Sequence, residues 1–349
     1  MTDVKFKQNN MVCKNDKQDN MTYKNADFKQ NNMTYMRAGG AGLILPAFSL
    51  GLWNSFGDNG NTDEMKKIVV TALELGINSF DLANNYGPPY GRAEENFGAL
   101  VRDLKLNRDE IIVSTKAGFD MWNGPYGSGG TRKHLIASCD ASLKRMGLDY
   151  VDIFYHHRPD PDTPLTETCA ALDELIKSGK ALYIGISNYN KEQTEAAAKI
   201  FKRLKTPFAG NQSNYSLLNR KAERSGLKDY LYKNDLGFIT YSPLAQGILT
   251  GKYLNEIPAD SRVITDGRHI SAFDVTNESV REKVRRLKCI AERRGQTLSE
   301  MSLSWVMREK VTSVVIGASH AYQIENNVRA LYNTRFSAEE LKEIDEIVR

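Results

Sequence analysis

The feature that most constrains the fold of this chain is a repeated alternation of short apolar runs with longer amphipathic stretches. Short runs rich in β-branched residues predict strands, and stretches with apolar residues three and four apart predict helices. The predicted strands are 47–52, 79–82, 111–115, 151–155, 181–186, 209–212, 237–241 and 313–316. The predicted helices are 63–76, 92–105, 131–146, 166–179, 191–204, 220–234, 279–294 with 299–309, and 320–331.

This order predicts an α/β fold, a single (β/α)8 TIM barrel, because each of eight strands is followed by a helix. A doubly wound sheet is the alternative, and it usually carries G-x-G-x-x-G after its first strand. Here the first strand leads into Gly51-Leu52-Trp53-Asn54, and the glycine cluster at 127–132 lacks the final glycine of that motif. The barrel is therefore the better prediction.

The first 32 residues differ from the remainder of the chain. They are polar, and the stretch 6–11 recurs as 28–33. Such a segment has too little apolar surface to offset the entropy of ordering. We therefore predict a disordered low-complexity extension over 1–32 and one barrel domain over 33–349.

Charge and cysteine usage exclude several classes of function. The net charge of +4 is too small to indicate nucleic acid or a membrane surface as partner. No apolar run approaches the roughly 20 residues of a membrane helix. The cysteines, at positions 13, 139, 169 and 289, are scattered, which is typical of reduced thiols and predicts a cytoplasmic protein.

Four polar residues near the ends of the second to fourth strands form the candidate catalytic site. Active sites of such barrels lie at the carboxyl ends of the strands. Asp81 ends the second strand, and a buried carboxylate there requires a cation, which Lys116 on the third strand can supply. Tyr86 follows in the next loop, and His157 follows the fourth strand.

This set can reduce a carbonyl group if a cofactor supplies hydride. A tyrosine ordinarily titrates near ~10, and a close ammonium is expected to lower its pKa toward the range in which it donates protons effectively. Lys116 is predicted to act on Tyr86 in this way, with Asp81 holding Lys116 charged. His157 can donate a second hydrogen bond to the carbonyl oxygen.

Five motifs, in order and with barrel spacing, resemble the signatures of the aldo-keto reductases. They lie at 80–87 (FDLANNYG), 114–116 (STK), 152–159 (DIFYHHRP), 185–188 (GISN) and 241–247 (YSPLAQG). Within that family the chain is most similar to the branch of bacterial L-glyceraldehyde 3-phosphate reductases and potassium-channel β subunits. Channel β subunits carry an amide where this chain has His157, so His157 favours a reductase.

The resemblance implies NADP(H) as cofactor, a small carbonyl substrate and a role for each matching residue. The catalytic residues it implies are Asp81, Tyr86 (the proton donor), Lys116 and His157. The implied cofactor-binding residues are Trp53, Asp81, Ser187, Asn188, Gln212, Tyr241, Ser242, Pro243, Leu244, Gln246, Lys252, Arg262, Gly317, Ser319, Gln323 and Asn327. The implied substrate residues are Asn54, Tyr86, Trp122, His157 and Arg158.

Two departures from the family pattern weaken the implied preference for NADP over NAD. Asn326 stands where relatives usually carry glutamate, and His320 where close reductases carry arginine. The start of the last barrel helix, with free N–H groups, is nevertheless a predicted phosphate site. The resemblance also implies a homo-oligomer, a tetramer or larger.

Two other function classes remain open at this stage. A cofactor-binding regulatory subunit, similar to a channel β subunit, is the main alternative to a reductase. A metal-dependent barrel enzyme is the other, although no set of histidines and carboxylates with ligand spacing occurs at the strand ends, so no metal is predicted.

Overall fold

The predicted strands close into one parallel barrel in the computed structural model, which describes residues 28–30, 33–259, 261–265 and 272–349. Three strands precede the barrel: β1 Phe28–Gln30, β2 Met33–Arg37 and β3 Ile44–Pro46. The barrel strands are β4 Phe48–Gly51, β5 Ser79–Asp81, β6 Ile112–Ala117, β7 Val151–His156, β8 Ala181–Ser187, β9 Phe208–Asn214, β10 Gly237–Tyr241 and β11 Ser313–Gly317. They pair in that order, and β11 returns to β4, so the (β/α)8 prediction is confirmed.

Helices surround the barrel and connect its strands. They are α1 Thr62–Glu74, α2 Arg92–Asp103, α3 Arg132–Met146, α4 Leu165–Lys177, α5 Lys191–Leu204, α6 Lys221–Arg224, α7 Leu227–Lys233, α8 Arg262–Thr265, α9 Ala272–Thr276, α10 Glu278–Arg293, α11 Leu298–Met307, α12 Ala321–Val328 and α13 Ala338–Val348. Among the described residues, no helix has the length and apolarity that a membrane span requires.

Local sequence signals explain where these helices begin and end. Thr131 Oγ1 accepts a hydrogen bond from the backbone N–H of His134, and Gly147 ends α3 with φ +66°, as an N-cap and a left-handed C-cap require. The helix predicted over 220–234 is instead two helices, because Gly226 between them has φ +74°.

A small antiparallel sheet closes the amino-terminal end of the barrel. β2 pairs with β3, and the turn between them is held by a bridge from Gly39 to Leu236, just before β10. Ala38, Leu43 and Leu45 pack there with the apolar side chains inside the barrel. Of the extension predicted over 1–32, only Phe28–Gln30 lies among the described residues, and it pairs with β2. The order of the other extension residues stays a prediction.

Candidate active site

Side-chain alternation along β7 decides which of two adjacent histidines faces the site. Successive side chains of a strand point to opposite faces. Ile153 and Tyr155 belong to the cluster inside the barrel, and His157 continues their alternation one residue beyond the strand. His156 points outward, and its Nδ1 lies 2.6 Å from the hydroxyl oxygen of Tyr189. His157 therefore faces the barrel mouth, and His156 is a packing residue.

Asp81 and Lys116 form a buried ion pair at the centre of the mouth. Lys116 Nζ donates to Asp81 Oδ2 at 2.5 Å and to the carbonyl oxygen of Leu82 at 2.7 Å. Asp81 Oδ1 accepts from Ser114 Oγ at 2.8 Å and from Gln212 Nε2 at 2.9 Å. A buried carboxylate is tolerated only when it is paired and hydrogen-bonded, and here both oxygens are.

Tyr86 lies over this pair, and its pKa is raised rather than lowered. Lys116 Nζ is 5.1 Å from the centre of the Tyr86 ring. Burial raises the pKa of Tyr86, and the negative charge of Asp81 raises it further. Burial also lowers the pKa of Lys116, against the opposing effect of Asp81. The prediction that the pKa of Tyr86 lies below its ordinary value is wrong for this structure, because burial disfavours the phenolate and the negative charge of Asp81 adds to that effect.

Aromatic rings hold His157 beside Tyr86. The His157 ring lies 5.9 Å from the Tyr86 ring and 4.6 Å from the Phe119 ring, which stands perpendicular to it. Burial and then the Lys116 charge lower the pKa of His157 well below its ordinary value, so the imidazole is neutral at pH 7. Its Nδ1 is buried without a hydrogen-bond partner among the described residues. Trp53 also lies near Tyr86, with 6.1 Å between ring centres.

The amide of Asn188 connects the ends of β8 and β10 to His157. Asn188 adopts φ +64°, and its Nδ2 donates to the carbonyl oxygen of His157 at 2.9 Å and to Ser187 Oγ at 3.2 Å. The hydroxyl of Tyr241 donates to Asn188 Oδ1 at 2.6 Å. These residues therefore meet at the same mouth as Tyr86.

The loop after β10 has a backbone suited to an anion. Ser242, Ala245, Gln246 and Gly247 all have positive φ, between 48° and 93°. Non-glycine residues rarely adopt this conformation, which concentrates at binding sites, and turns of this kind can orient N–H groups toward an anion. Lys252 lies alongside, because a Cβ added at Gly247 would be 3.1 Å from Lys252 Cε.

Three further residues were predicted to contact the cofactor from this loop. Pro243 is buried, Leu244 packs against the main core, and Arg262 begins α8. The side chain of Arg262 lies outside the described part of the structure.

Side chains of the protein already accept hydrogen bonds from backbone N–H groups at the start of α12, contrary to the prediction that these groups are free. The backbone N–H of Ala321 donates to Glu64 Oε1, on α1, at 2.9 Å. The backbone N–H of Ser319 donates to Gln323 Oε1 at 2.8 Å. His320 Nδ1 is 3.7 Å from the same oxygen of Glu64. A carboxylate favours a helix N-terminus for the same reason that a phosphate does, so Glu64 holds a position suited to a phosphate.

Two of the predicted substrate residues, Arg158 and Trp122, contact other protein groups. Arg158 Nε donates to the carbonyl oxygen of Gly118 at 3.1 Å, and its guanidinium lies 4.6 Å from the centre of the Phe119 ring. Trp122 packs on His134 at the start of α3, with 5.3 Å between ring centres. Both side chains therefore pack on neighbouring rings and remain partly exposed.

The three other predicted contacts lie on separate elements. Asn54 begins the short helix after β4, Gly317 is exposed at the end of β11, and Asn327 is buried on α12.

Three residues of the site were not predicted. Ser114 binds Asp81, Tyr155 lies beneath Lys116 with 5.8 Å from Nζ to its ring centre, and Phe119 packs on His157. The alternation of side chains along β6 could have revealed Ser114, because Ser114 precedes Lys116 by two residues and therefore lies on the same face of the strand. Phe119 lies in an irregular loop, where no periodicity applies.

Taken together, the residues present fit a nicotinamide nucleotide. Amide and hydroxyl groups surround the ion pair, an aromatic ring ends β10, and positive-φ backbone follows it. The site offers no comparable set for a metal, since the described residues contain no group of three or more His, Cys, Asp or Glu arranged for an ion.

Comparison with known proteins gives a consistent result. The Aldo/keto reductase family profile matches residues 47–349. The chain is 52% identical over 322 residues to the L-glyceraldehyde 3-phosphate reductase of Escherichia coli K12, covering 91% of this chain and 93% of that protein. It is 36% identical over 329 residues to a putative voltage-gated potassium channel subunit beta of Schizosaccharomyces pombe, covering 92% of this chain and 95% of that protein.

Proposed function

The chain belongs to the aldo/keto reductase family and is an oxidoreductase, and from that premise we propose that it is a cytoplasmic NADPH-dependent reductase of short aldehydes and ketones. Its substrates would include glyceraldehyde 3-phosphate and small aldehydes such as methylglyoxal. The observation that carries the proposal is the buried Asp81–Lys116 pair directly beneath Tyr86, with a neutral His157 at its side.

The proposed proton donor is Tyr86. With its pKa raised, Tyr86 is protonated at neutral pH and can release its proton to an oxygen that becomes an alkoxide. Lys116 then stabilises the phenolate, and Asp81 keeps the ammonium oriented. His157 can donate a ring N–H to the same oxygen and so fix the direction of the carbonyl group.

The side chains at the ends of β8, β9 and β10 would hold the cofactor. Asn188 and Ser187 offer amide and hydroxyl groups, and the Tyr241 ring offers a flat surface. When bound there, NADPH supplies the hydride that adds to the carbonyl carbon. Gln212 is also suited to this task, but its Nε2 bonds Asp81, so it links the cofactor side of the mouth to the ion pair.

Tyr86→Phe tests the reaction itself. We expect the substitution to lower kcat on glyceraldehyde at least about 100-fold, because proton donation is lost, while the NADPH dissociation constant stays within about twofold. Intrinsic fluorescence, to which Trp53 contributes near the mouth, measures the binding. Wild-type protein that binds no NADPH, or a variant with unchanged turnover, would contradict the proposal.

The phosphorylated substrate is tested separately. Arg158 follows His157 directly, and the chain is similar to a reductase of L-glyceraldehyde 3-phosphate. Because Arg158 hydrogen-bonds through Nε and its ion pair with Asp120 is long, at 3.5 Å, a phosphate can compete with Asp120 for the guanidinium. We expect a higher kcat/KM for L-glyceraldehyde 3-phosphate than for glyceraldehyde, and a smaller difference in Arg158→Met. Equal values in the wild type would remove the phosphate from the proposal.

A second candidate is a cofactor-binding regulatory subunit, which the similarity to channel subunit beta proteins favours. His157 distinguishes the two, because a regulatory subunit has no need of a group that polarises a carbonyl. Tight NADPH binding with negligible turnover across a panel of short aldehydes would support the regulatory role. Size-exclusion chromatography with light scattering would test the predicted tetramer or larger assembly.

A further inference from the structure

A second buried ion pair lies behind the catalytic residues, between α2 and α3. Glu94 is fully buried, and its Oε2 accepts from Arg145 Nε at 2.7 Å. Its Oε1 accepts from Thr115 Oγ1 at 2.5 Å. Thr115 points out of the barrel toward α2, whereas its neighbour Lys116 points into the barrel. Glu94 therefore holds the segment of β6 that carries Lys116.

The same pair supports the loop that carries Tyr86. The carbonyl oxygen of Tyr86 accepts from the backbone N–H of Gly91 at 3.1 Å, at the start of α2. The Arg145 side chain lies against Gly91, because a Cβ added there would be 2.8 Å from Arg145 Cδ. Gly91 also has φ +87°, which favours glycine. Glu94, three residues later, thus joins the Tyr86 loop to β6.

We propose that Glu94 and Arg145 are positioning residues, which set the distance between the Tyr86 hydroxyl and the Lys116 ammonium. This inference rests on the proposed reductase function. Neither side chain contacts the reacting atoms; they act through Thr115 and Gly91. Because catalysis depends on geometry, small displacements of a donor reduce rates steeply. The charge of Glu94 also favours the ammonium form of Lys116.

The test compares Glu94→Gln with a matched ion pair at the opposite end of the barrel. There Asp152 Oδ2 accepts from Arg108 Nη2 at 2.7 Å and from the backbone N–H of Val113 at 2.8 Å, so Asp152 also links an arginine to β6. Asp152→Asn disturbs a buried pair without touching the Tyr86 loop. Each protein is titrated for nucleotide sites, and the single-turnover rate of NADPH oxidation is measured per site.

We expect Glu94→Gln to lower the single-turnover rate at least tenfold with little change in NADPH affinity. Amide exchange in the peptide 84–93 should become faster, because the Gly91 N–H is less well held. Asp152→Asn should reduce thermal stability and leave both the rate per site and this exchange unchanged. Gly91→Ala, which displaces Arg145 and removes no charge, should lower the rate in the same way as Glu94→Gln.

Other outcomes overturn the inference. If Glu94→Gln lowers only the number of nucleotide sites and each remaining site reacts at the wild-type rate, the pair serves stability alone. If Asp152→Asn slows the reaction equally, the effect belongs to the whole barrel. Wild-type protein that binds NADPH but reduces no aldehyde would instead remove the proposed function, and the positioning role with it.

Discussion

His156 is expected to make the stability of the fold depend on pH between 4 and 6.5. The residue is fully buried, and its Nδ1 faces the hydroxyl of Tyr189. Burial lowers the pKa of His156 from 6.5 to about 4. Because the folded pKa is depressed, the unfolded chain takes up a proton first as the pH falls. The contribution of neutral His156 to the free energy of unfolding is therefore complete above pH 6.5 and is lost as the pH falls toward 4.

The size of the effect follows from these two pKa values. Each pKa unit corresponds to about 1.4 kcal/mol, so lowering the pH from 7 to 5 should cost the folded state about 2 kcal/mol through His156 alone. At pH 4 the loss reaches about 3 kcal/mol. Other groups titrate in this range, so the quantity to measure is a difference between two proteins rather than the wild-type curve.

His156→Gln supplies that difference, because glutamine can still form a hydrogen bond with the Tyr189 hydroxyl and does not titrate. Urea unfolding at pH 7 and pH 5 gives the free energy of unfolding of both proteins. The wild type should lose about 2 kcal/mol relative to the variant over this interval. Tyr189→Phe is the control, since it removes the hydrogen bond and keeps the histidine, so the pH effect should persist. A stability difference that is equal at both pH values would refute the reasoning.

Two further predictions concern nucleotide choice and a buried lysine. Glu64→Gln removes the negative charge that faces the N–H of Ala321 and that would repel the extra phosphate of NADPH. NADPH should therefore bind several-fold tighter relative to NADH. Asp63→Asn, in the same turn of α1, should leave the ratio of the two affinities unchanged. Fluorescence titration of both nucleotides decides this, and an unchanged ratio in Glu64→Gln contradicts it. Burial lowers the pKa of Lys228 to about 8. The cost in folding free energy of burying the charged lysine is therefore full below pH 8, and it disappears as the pH rises through the unfolded value near ~10.4. Lys228→Met should therefore stabilise the protein by about 2–3 kcal/mol at pH 7 and by less at pH 10 in urea unfolding, and a gain that is independent of pH would argue against it.

Strand and helix periodicity predicted the barrel because each of its strands is an apolar run bounded by polar turns. The hairpin of β2 and β3 was not predicted, since residues 33–37 read as a polar and partly apolar mixture with no alternation. The helix Ala338–Val348 was also not predicted, although Ser337 and Glu340 form a capping box at its start. The hairpin closes the end of the barrel and the helix packs against α10, so both elements take their structure from what they pack on.

The candidate site shows a similar division between what spacing reveals and what it cannot. The pairing of Asp81 with Lys116 was predicted from adjacent strand ends, and the structure has it. The pKa of Tyr86 was not, because desolvation depends on how tightly the loop closes. The role of Glu94 was equally hidden, since its partner Arg145 is 51 residues away on another helix. The spacing of residues in the sequence predicts neither how deeply a side chain is buried nor which residues of separate helices are in contact.

The sheet that closes the amino-terminal end of the barrel has a consequence for the movement of protons. Tyr155 fills the barrel beneath Lys116, and Leu43 and Leu45 of the hairpin seal the end below it. Water and protons therefore reach the ammonium from the side of the mouth. In the proposed reaction, with nucleotide and substrate covering that side, the proton that Tyr86 would donate has to be one that the site already held. Under the proposed mechanism, its replacement would wait until the product leaves, and reprotonation of Tyr86 would be tied to product release.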